Sequence, residues 1–572
     1  MTDGCCLLWD FAEIREMSNQ EEHDRLLQVE WREKVIPNLG GSQWIRVYQP
    51  GRTGLPEQVG FFCGLIPNAN VLTSLQTYEW DVYIGEGVPG FMQSFDETGN
   101  CQTLYDRYGH LKHSIEPLVI VRSFHGLRPD EIEIAEEFRF FHNLFLDHDN
   151  KTYVKYDESG DIIPVVRMSD NFVDIRRKYI RQFLAVKEMT LVLYFERMYF
   201  SVKSLEQLDV EEDYEQFTSD NFTFNFIVRD NPVRWNGLQS QSWILGKTII
   251  KGIPIEKCDF WPFEEEKQYE EFIIGVDDDD ESIAYTSNPD ELADYFGKNR
   301  HAPHYLTSVF FGRKVLAKYY NEPQIYSVDD GFLWCGGKWT LRMDNSHLNY
   351  VVVFLGDLGR DLPHKEQLHW KRYNVPPDGR MSETYFRRSF LNQPAEPEDS
   401  ALRFRDAYSR FSRCWREESG WDLFKPLSEA DSHHLTTLHR PFTSESSELD
   451  RLVLSLSKLL VDSTNVRKIK NEIPDFEIKD TRGIKKKSLT ILEEYLVQRD
   501  FVDSGNYIEC LRIVQDIRSA SAAHRKGRKF QRVSKSVGLD SRTTQQIADE
   551  IFNTLTDFLD SLRKHFCPNG SD

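Results

Sequence analysis

Arg518 and His524 are the two residues of this chain whose types and spacing could do chemistry together, in the run Arg518-Ser519-Ala520-Ser521-Ala522-Ala523-His524. A histidine gives up or takes a proton near neutral pH. An arginine keeps its charge and sets a planar fork of N–H donors against phosphate or carboxylate oxygens. Arg525, Lys526 and Gly527 follow directly. Those three match an ordinary helix end, where cations face the negative end of the dipole and glycine closes the last turn. Arg518 stands two turns earlier and is not explained in that way.

The element that must position these residues is a helix predicted from about Asn506 to Lys526. Projected at ~100° per residue, Cys510, Leu511, Ile513, Val514, Ile517 and Ala520 fall on one apolar half. Glu509, Arg512, Gln515, Asp516, Ser519 and Lys526 fall on the other. Arg518 shares its stripe with Tyr507, Leu511 and Val514, and His524 projects among Ile513, Ile517 and Ala520. The buried stripe thus turns polar in its last two turns, at Arg518, Ser521, His524 and Arg525. Ala520, Ala522 and Ala523 between them are small and leave room for another helix or a ligand. A charge on a core-facing stripe needs a partner or a purpose, and such local rule-breaking marks sites.

Charge points to the same place. The 572 residues carry a formal net charge of −22, which argues against nonspecific binding of nucleic acid by the whole surface. From Arg482 to Lys535, however, 13 Lys/Arg stand against 6 acidic residues, a local net charge of +7. A polyanion is drawn there and repelled elsewhere.

The surrounding elements are helical. Leu449, Leu452, Val453, Leu456, Leu459 and Leu460 follow the i, i+3, i+4, i+7 pattern behind Thr443 and Ser444. Leu489, Leu492 and Leu496 mark a second helix, the Asn506 helix is third, and Ile547, Ile551, Leu555, Phe558, Leu562 and Phe566 mark a fourth, capped by Asp540 or Ser541. Four amphipathic helices over residues 443–572 predict an all-α bundle.

Arg518 and His524, late in such a bundle, resemble the R-x(4–6)-H motif of the HEPN superfamily. One departure is Ser519, where active members usually have Asn, Asp or His after the arginine. The resemblance covers about the last 120 residues. It implies a metal-independent endoribonuclease with Arg518 and His524 as catalytic residues, Ser519, Ser521, Arg525 and Lys526 near the substrate, and no metal or cofactor. The two catalytic side chains point roughly 120° apart around one helix; the family's homodimer would bring four of them together. A bacterial antiphage or toxin effector follows, with RNA as substrate and a protein or phage-derived trigger sensed by the remainder of the chain. Two other readings stand beside it. In one, the bundle dimerises or binds nucleic acid or protein without catalysis; in the other, an enzyme site lies in the preceding region.

That preceding region reads as α+β. Ile45–Tyr48, Leu118–Val121, Leu191–Phe195, Phe222–Phe226, Trp243–Leu245, Phe272–Ile274 and Tyr350–Leu355 are strand-length apolar runs, while Glu131–Leu146 and Asn171–Met189 read as helices, the latter starting at Ser169 and Asp170. The expected organisation is two α+β domains, 1–200 and 201–395, an irregular linker at 396–442, and the bundle at 443–572. Tyr153–Asn171 and Tyr326–Asn345 share Tyr, Gly and Arg-Met landmarks that suggest a duplication, with Gly-to-Arg spacings of seven and eleven. No run approaches the ~20 apolar residues of a membrane span, the start lacks a basic segment followed by an apolar stretch, and nine scattered cysteines without a C-x-x-C pair predict reduced thiols in a cytoplasm.

Four other motifs lead elsewhere. Gly246-Lys247-Thr248 has Gln241 where a phosphate-binding loop needs glycine, and its flanks read as strand. Pro474–Lys479 carries the letters of a metal nuclease in contiguous order, which that chemistry does not use. His364 and His369 are five apart, not the four that one helix face requires for zinc, and read as surface histidines. Asp277–Glu281 reads as a solvated loop.

Overall fold

The computed structural model describes residues 18–51, 57–76, 90–106, 115–230, 237–260, 266–474, 476–479, 483–521, 538 and 541–568. The fold is α+β, strand-rich in its N-terminal region and helical in its C-terminal region. Two compact units comprise it: Met1–Asp157 with Asp161–Glu266, and Glu158–Gly160 with Lys267–Asp572.

The first unit holds two five-stranded antiparallel sheets. In one, the order is β1 (Trp44–Tyr48), β10 (Phe172–Arg176), β9 (Ile162–Ser169), β8 (Thr152–Tyr156) and β7 (Phe145–Asp147). In the other it is β12 (Asp213–Thr218), β13 (Phe222–Asp230), β14 (Ser240–Lys251), β11 (Met189–Ser201) and β2 (Glu57–Pro67). Hairpins β3 (Gly90–Phe95)–β4 (Cys101–Asp106) and β5 (Val119–Arg122)–β6 (Glu131–Ile134) are the other strand pairs among the described residues of this unit. β11 lies between β14 and β2 and is buried on both faces from Met189 to Phe195, in keeping with its apolar run. Residue 200 lies inside β11, which pairs with β14 through Ser201↔Ser240. That pairing carries the unit on to Glu266, in place of the boundary expected after residue 200.

Two expected helices divide differently. Glu131–Leu146 is strand β6, a short helix Glu136–Phe141 and strand β7, and Asn171–Met189 is strand β10 followed by the helix Arg177–Lys187. Asp170 and Asn171 form the two-residue turn between β9 and β10, where Ser169 pairs with Phe172. The Ser169 hydroxyl accepts from the N–H groups of Asn171 and Phe172. Serine serves a turn here by the same bond with which it starts a helix.

Gly246, Lys247 and Thr248 lie inside β14, as strand flanks predict. Gly246 stands opposite Phe195, and a Cβ there would come within 2.3 Å of the Phe195 ring and 2.8 Å of the Thr223 carbonyl oxygen. The glycine makes room for an aromatic ring and has no phosphate role. Gly246→Ala is expected to destabilise the first unit by at least about 1–3 kcal/mol, the usual range for an overpacked core, read as a lower melting midpoint.

The second unit begins with hairpin β15 (Glu271–Val276)–β16 (Ser282–Thr286). Asp277–Glu281 is its exposed turn, held by the Asp277 carboxylate accepting from the N–H groups of Asp279 and Glu281. A sheet of β21 (Tyr350–Phe354), β17 (Ser308–Gly312) and β22 (Asn374–Val375) and a meander of β18 (Tyr326–Asp329), β19 (Phe332–Cys335) and β20 (Trp339–Arg342) follow. The two landmark stretches share only their beginnings. Gly160 and Gly331 both turn with positive φ, +85° and +82°, but Arg167 lies on the second strand of a hairpin and Arg342 on the third strand of a meander. Different strand counts account for the unequal spacings.

The helical part starts earlier than expected. Ser400–Ser419, within the stretch read as linker, is a 20-residue helix. Asp399 caps its N-terminus by accepting from Ala401 and Leu402, and Gly420 ends it at φ +73°. Ala401, Phe404, Ala407, Tyr408, Phe411 and Trp415 enter one apolar core with residues of Ser446–Leu456, Ser488–Gln498, Ser504–Ser521 and Thr544–Phe566. Thr543, not Asp540 or Ser541, caps the last helix, in a reciprocal pair with Gln546; Asp540 lies outside the described residues. Among the described residues no helix is long and apolar enough to cross a membrane.

Candidate functional site

Arg518 stands in the last turn of Ser504–Ser521. Ile508, Leu511, Val514 and Ile517 of that helix are buried and fix its face against the bundle. The Arg518 side chain is about a third exposed (31%). Its Nη1 donates to the Ser457 hydroxyl at 2.7 Å and to Asp462 Oδ2 at 2.6 Å. The partner demanded by a charge on this stripe is therefore present, from a segment 56 to 61 residues away in sequence.

That segment has its own geometry. Ser457–Asp462 continues Ser446–Leu456 as a π-helix. Its i→i+5 bonding widens the turn and brings residues five apart onto one side. Ser457 at its start and Asp462 at its end consequently reach the same guanidinium nitrogen. Ser457 is fully buried, while Asp462 is about half exposed. Local π-turns recur at functional sites, but the regular leucine spacing through Leu460 conceals this one in the sequence.

The ion pair orients Arg518 more than it stabilises the fold. Exposed pairs contribute ~0.2–1 kcal/mol, so Asp462→Ala is expected to lower stability by less than about 1 kcal/mol in a thermal melt.

Ser519 does not face a substrate with a free donor: its hydroxyl donates to the Gln515 carbonyl at 2.8 Å, one turn back. Ser521 ends the described helix, and its side chain lies outside the described residues, as do His524, Arg525, Lys526 and Gly527. The basic stretch is partly neutralised where it is described. Lys486 pairs with Glu494 at 2.8 Å, Arg499 with Glu472 at 3.0 Å and Arg512 with Glu493 at 2.5 Å, alongside Arg518 with Asp462.

No protein-family model, curated protein or solved structure matches this chain. The site is read from its own residues.

Other sequence motifs are structural where described. His364 Nε2 bonds Glu270 Oε1 at 2.9 Å, whereas His369 Nε2 donates to the Val315 carbonyl at 2.9 Å, so the two rings face different partners. His369 is half-buried, not a surface residue, and burial lowers its pKa below the usual histidine range. Phe476 packs on the bundle core with the Lys486 and Lys470 ammonium groups 5.2 and 5.3 Å from its ring, while Asp475 lies outside the described residues. Among the described residues no group of three or more His, Cys, Asp or Glu side chains could hold a metal ion.

Proposed function

We propose that the helical part of this chain is an HEPN-like effector that cuts RNA without a metal ion, and that it acts in the bacterial cytoplasm in an antiphage or toxin system. The observation that carries this reading is the setting of Arg518. One guanidinium nitrogen is fixed by Ser457 and Asp462, and the side chain remains open to solvent at the end of the helix that leads to His524. An arginine held in this way is preoriented for a phosphate, because its remaining N–H groups need no reorganisation on binding.

The chemistry is direct. His524 takes the proton of a 2′-hydroxyl, the 2′-oxygen attacks the adjacent phosphorus, and the 5′-oxygen leaves with a proton from a second group. Arg518 stabilises the charge that gathers on the phosphoryl oxygens. Two copies meeting through the bundle would supply both histidines and both arginines to one site. The strand-rich region would respond to a protein or phage-derived trigger.

The Arg518–Asp462 pair also favours a second reading, in which Arg518 is a structural residue of a noncatalytic binding or dimerisation module. Expression of the wild-type chain and of His524→Ala, with and without phage, separates the two. Under the catalytic reading, wild type arrests growth and degrades cellular RNA while His524→Ala does neither. Identical behaviour of the two chains supports the module instead.

A further inference from the structure

The second unit carries a cationic groove that the proposed RNA site does not use. It encloses about 650 Å³, within the range of small-ligand sites. Arg313, Lys314, Arg372 and Arg440 line it, and no Asp or Glu does. In a chain of net charge −22, four cations on one wall set up a local positive potential that concentrates anions in the groove.

Two of the four are compensated. Arg313 follows β17 and donates through Nη2 to Asp399 Oδ2 at 2.7 Å, the same carboxylate that caps Ser400–Ser419. Arg440 sets its fork on Asp549 at 2.9–3.0 Å and donates through Nη1 to the Leu348 carbonyl at 3.1 Å. These ties hold the strands and the helices of the unit together, and neither carboxylate lines the groove. Lys314 and Arg372 are different. Both are exposed, and among the described residues neither side chain has an ion-pair or hydrogen-bond partner, their only bonds being those of the backbone. They leave two uncompensated positive charges facing one concavity. Thr543 and Gln545, at the start of the 23-residue helix Thr544–Phe566, line it too, which adds the positive end of that helix dipole. Tyr373 and Phe442 supply aromatic surface beside the cations.

The geometry points to a binding site for a small polyphosphorylated ligand of the nucleoside polyphosphate class, with phosphates at Lys314 and Arg372 and the base against Tyr373 and Phe442. The groove's volume suits one such molecule. The net charge of −22 opposes a long nucleic acid, whereas a compact anion meets mainly the local field of the groove. Because strand-bearing and helical parts of the unit both line the groove, a bound ligand would couple them. The inference stands whether or not the bundle cuts RNA.

Titration calorimetry on the full-length chain tests it, with ATP, inorganic tripolyphosphate and a short single-stranded RNA as separate probes. Lys314→Ala and Arg372→Ala remove exposed, unpartnered charges, so their melting midpoints should match wild type. ATP and tripolyphosphate should bind wild type, with ATP tighter, and each substitution should weaken Kd at least about tenfold, as expected for a lost charge-assisted bond. Absence of binding at millimolar concentrations of both probes, or unchanged Kd in the double variant, overturns the assignment. RNA binding that exceeds ATP and is lost in the double variant overturns it in favour of nucleic acid.

Discussion

A Lys318→Met chain is expected to be less stable than wild type by about 3–5 kcal/mol, the usual cost of stranding one member of a buried ion pair. Glu366 is fully buried on the helix His364–Lys371. Its Oε1 accepts from Lys318 Nζ at 2.5 Å and its Oε2 from the Tyr319 hydroxyl at 2.6 Å. That hydroxyl in turn accepts from Trp370 Nε1 at 2.8 Å, so each side chain of the series Trp370–Tyr319–Glu366–Lys318 is bonded to the next. Methionine keeps the length of the lysine stem and removes only the charge. The carboxylate then retains one hydrogen bond and no counter-ion in an apolar core that includes Val315, Leu316 and Trp370. A second substitution, Glu366→Gln in the Lys318→Met background, removes the stranded charge and should recover most of the loss. Chemical denaturation monitored by tryptophan fluorescence reads both changes. Equal midpoints for wild type and Lys318→Met would show that the charge is solvated by relaxation of the unit.

The second large effect concerns chemistry and leaves the fold intact. His524→Ala is expected to lower the rate of RNA cleavage by ~10²–10⁴, the usual contribution of a positioned general base. Arg518→Ala should cost ~10²–10³, as does removal of a donor aimed at developing charge. Arg518→Lys should rescue little, because a point charge cannot both hold Asp462 and present a planar fork. Asp462→Ala offers the contrast. If Asp462 only orients Arg518, its loss lowers activity modestly and melting little; if the pair is purely structural, Arg518→Ala and Asp462→Ala affect stability alike and cleavage not at all. Rates at equal protein concentration, measured on one single-stranded RNA, distinguish these outcomes.

Much of the fold was legible because its signals are local. The runs at Leu191–Phe195 and Tyr350–Phe354 are apolar without alternation and form strands whose residues are almost all buried, the first inside its sheet and the second at a sheet edge. The leucine spacing from Leu449 onward carries the bundle helices. Elsewhere one local chemistry serves two structures. Ser169 bonds the N–H groups of a hairpin turn as it would those of a helix start. The strict alternation Glu131-Ile132-Glu133-Ile134 was the signal for β6, but helix-forming residues downstream obscured it. In Ser400–Ser419 the cap at Asp399, the terminal Gly420 and the apolar positions from Ala401 to Trp415 are all present, behind Pro394, Glu396, Pro397 and Glu398, whose composition is that of a linker. The site was legible only in half. Arg518 declared itself by its place on an apolar stripe, but Ser457 and Asp462 could not, since their convergence depends on a π-helical turn and on packing between two helices far apart in sequence.

The end chemistry of RNA recovered from cells expressing the full-length chain is the most direct test of the central claim. Attack by a 2′-oxygen requires a 2′,3′-cyclic phosphate on one fragment and a 5′-hydroxyl on the other, and cleavage that persists when the purified chain is assayed with EDTA. Fragments bearing 5′-phosphates, cleavage lost on chelation, or intact RNA under every condition of growth and phage challenge would contradict the assignment of Arg518 and His524 as a metal-independent RNA-cleaving pair.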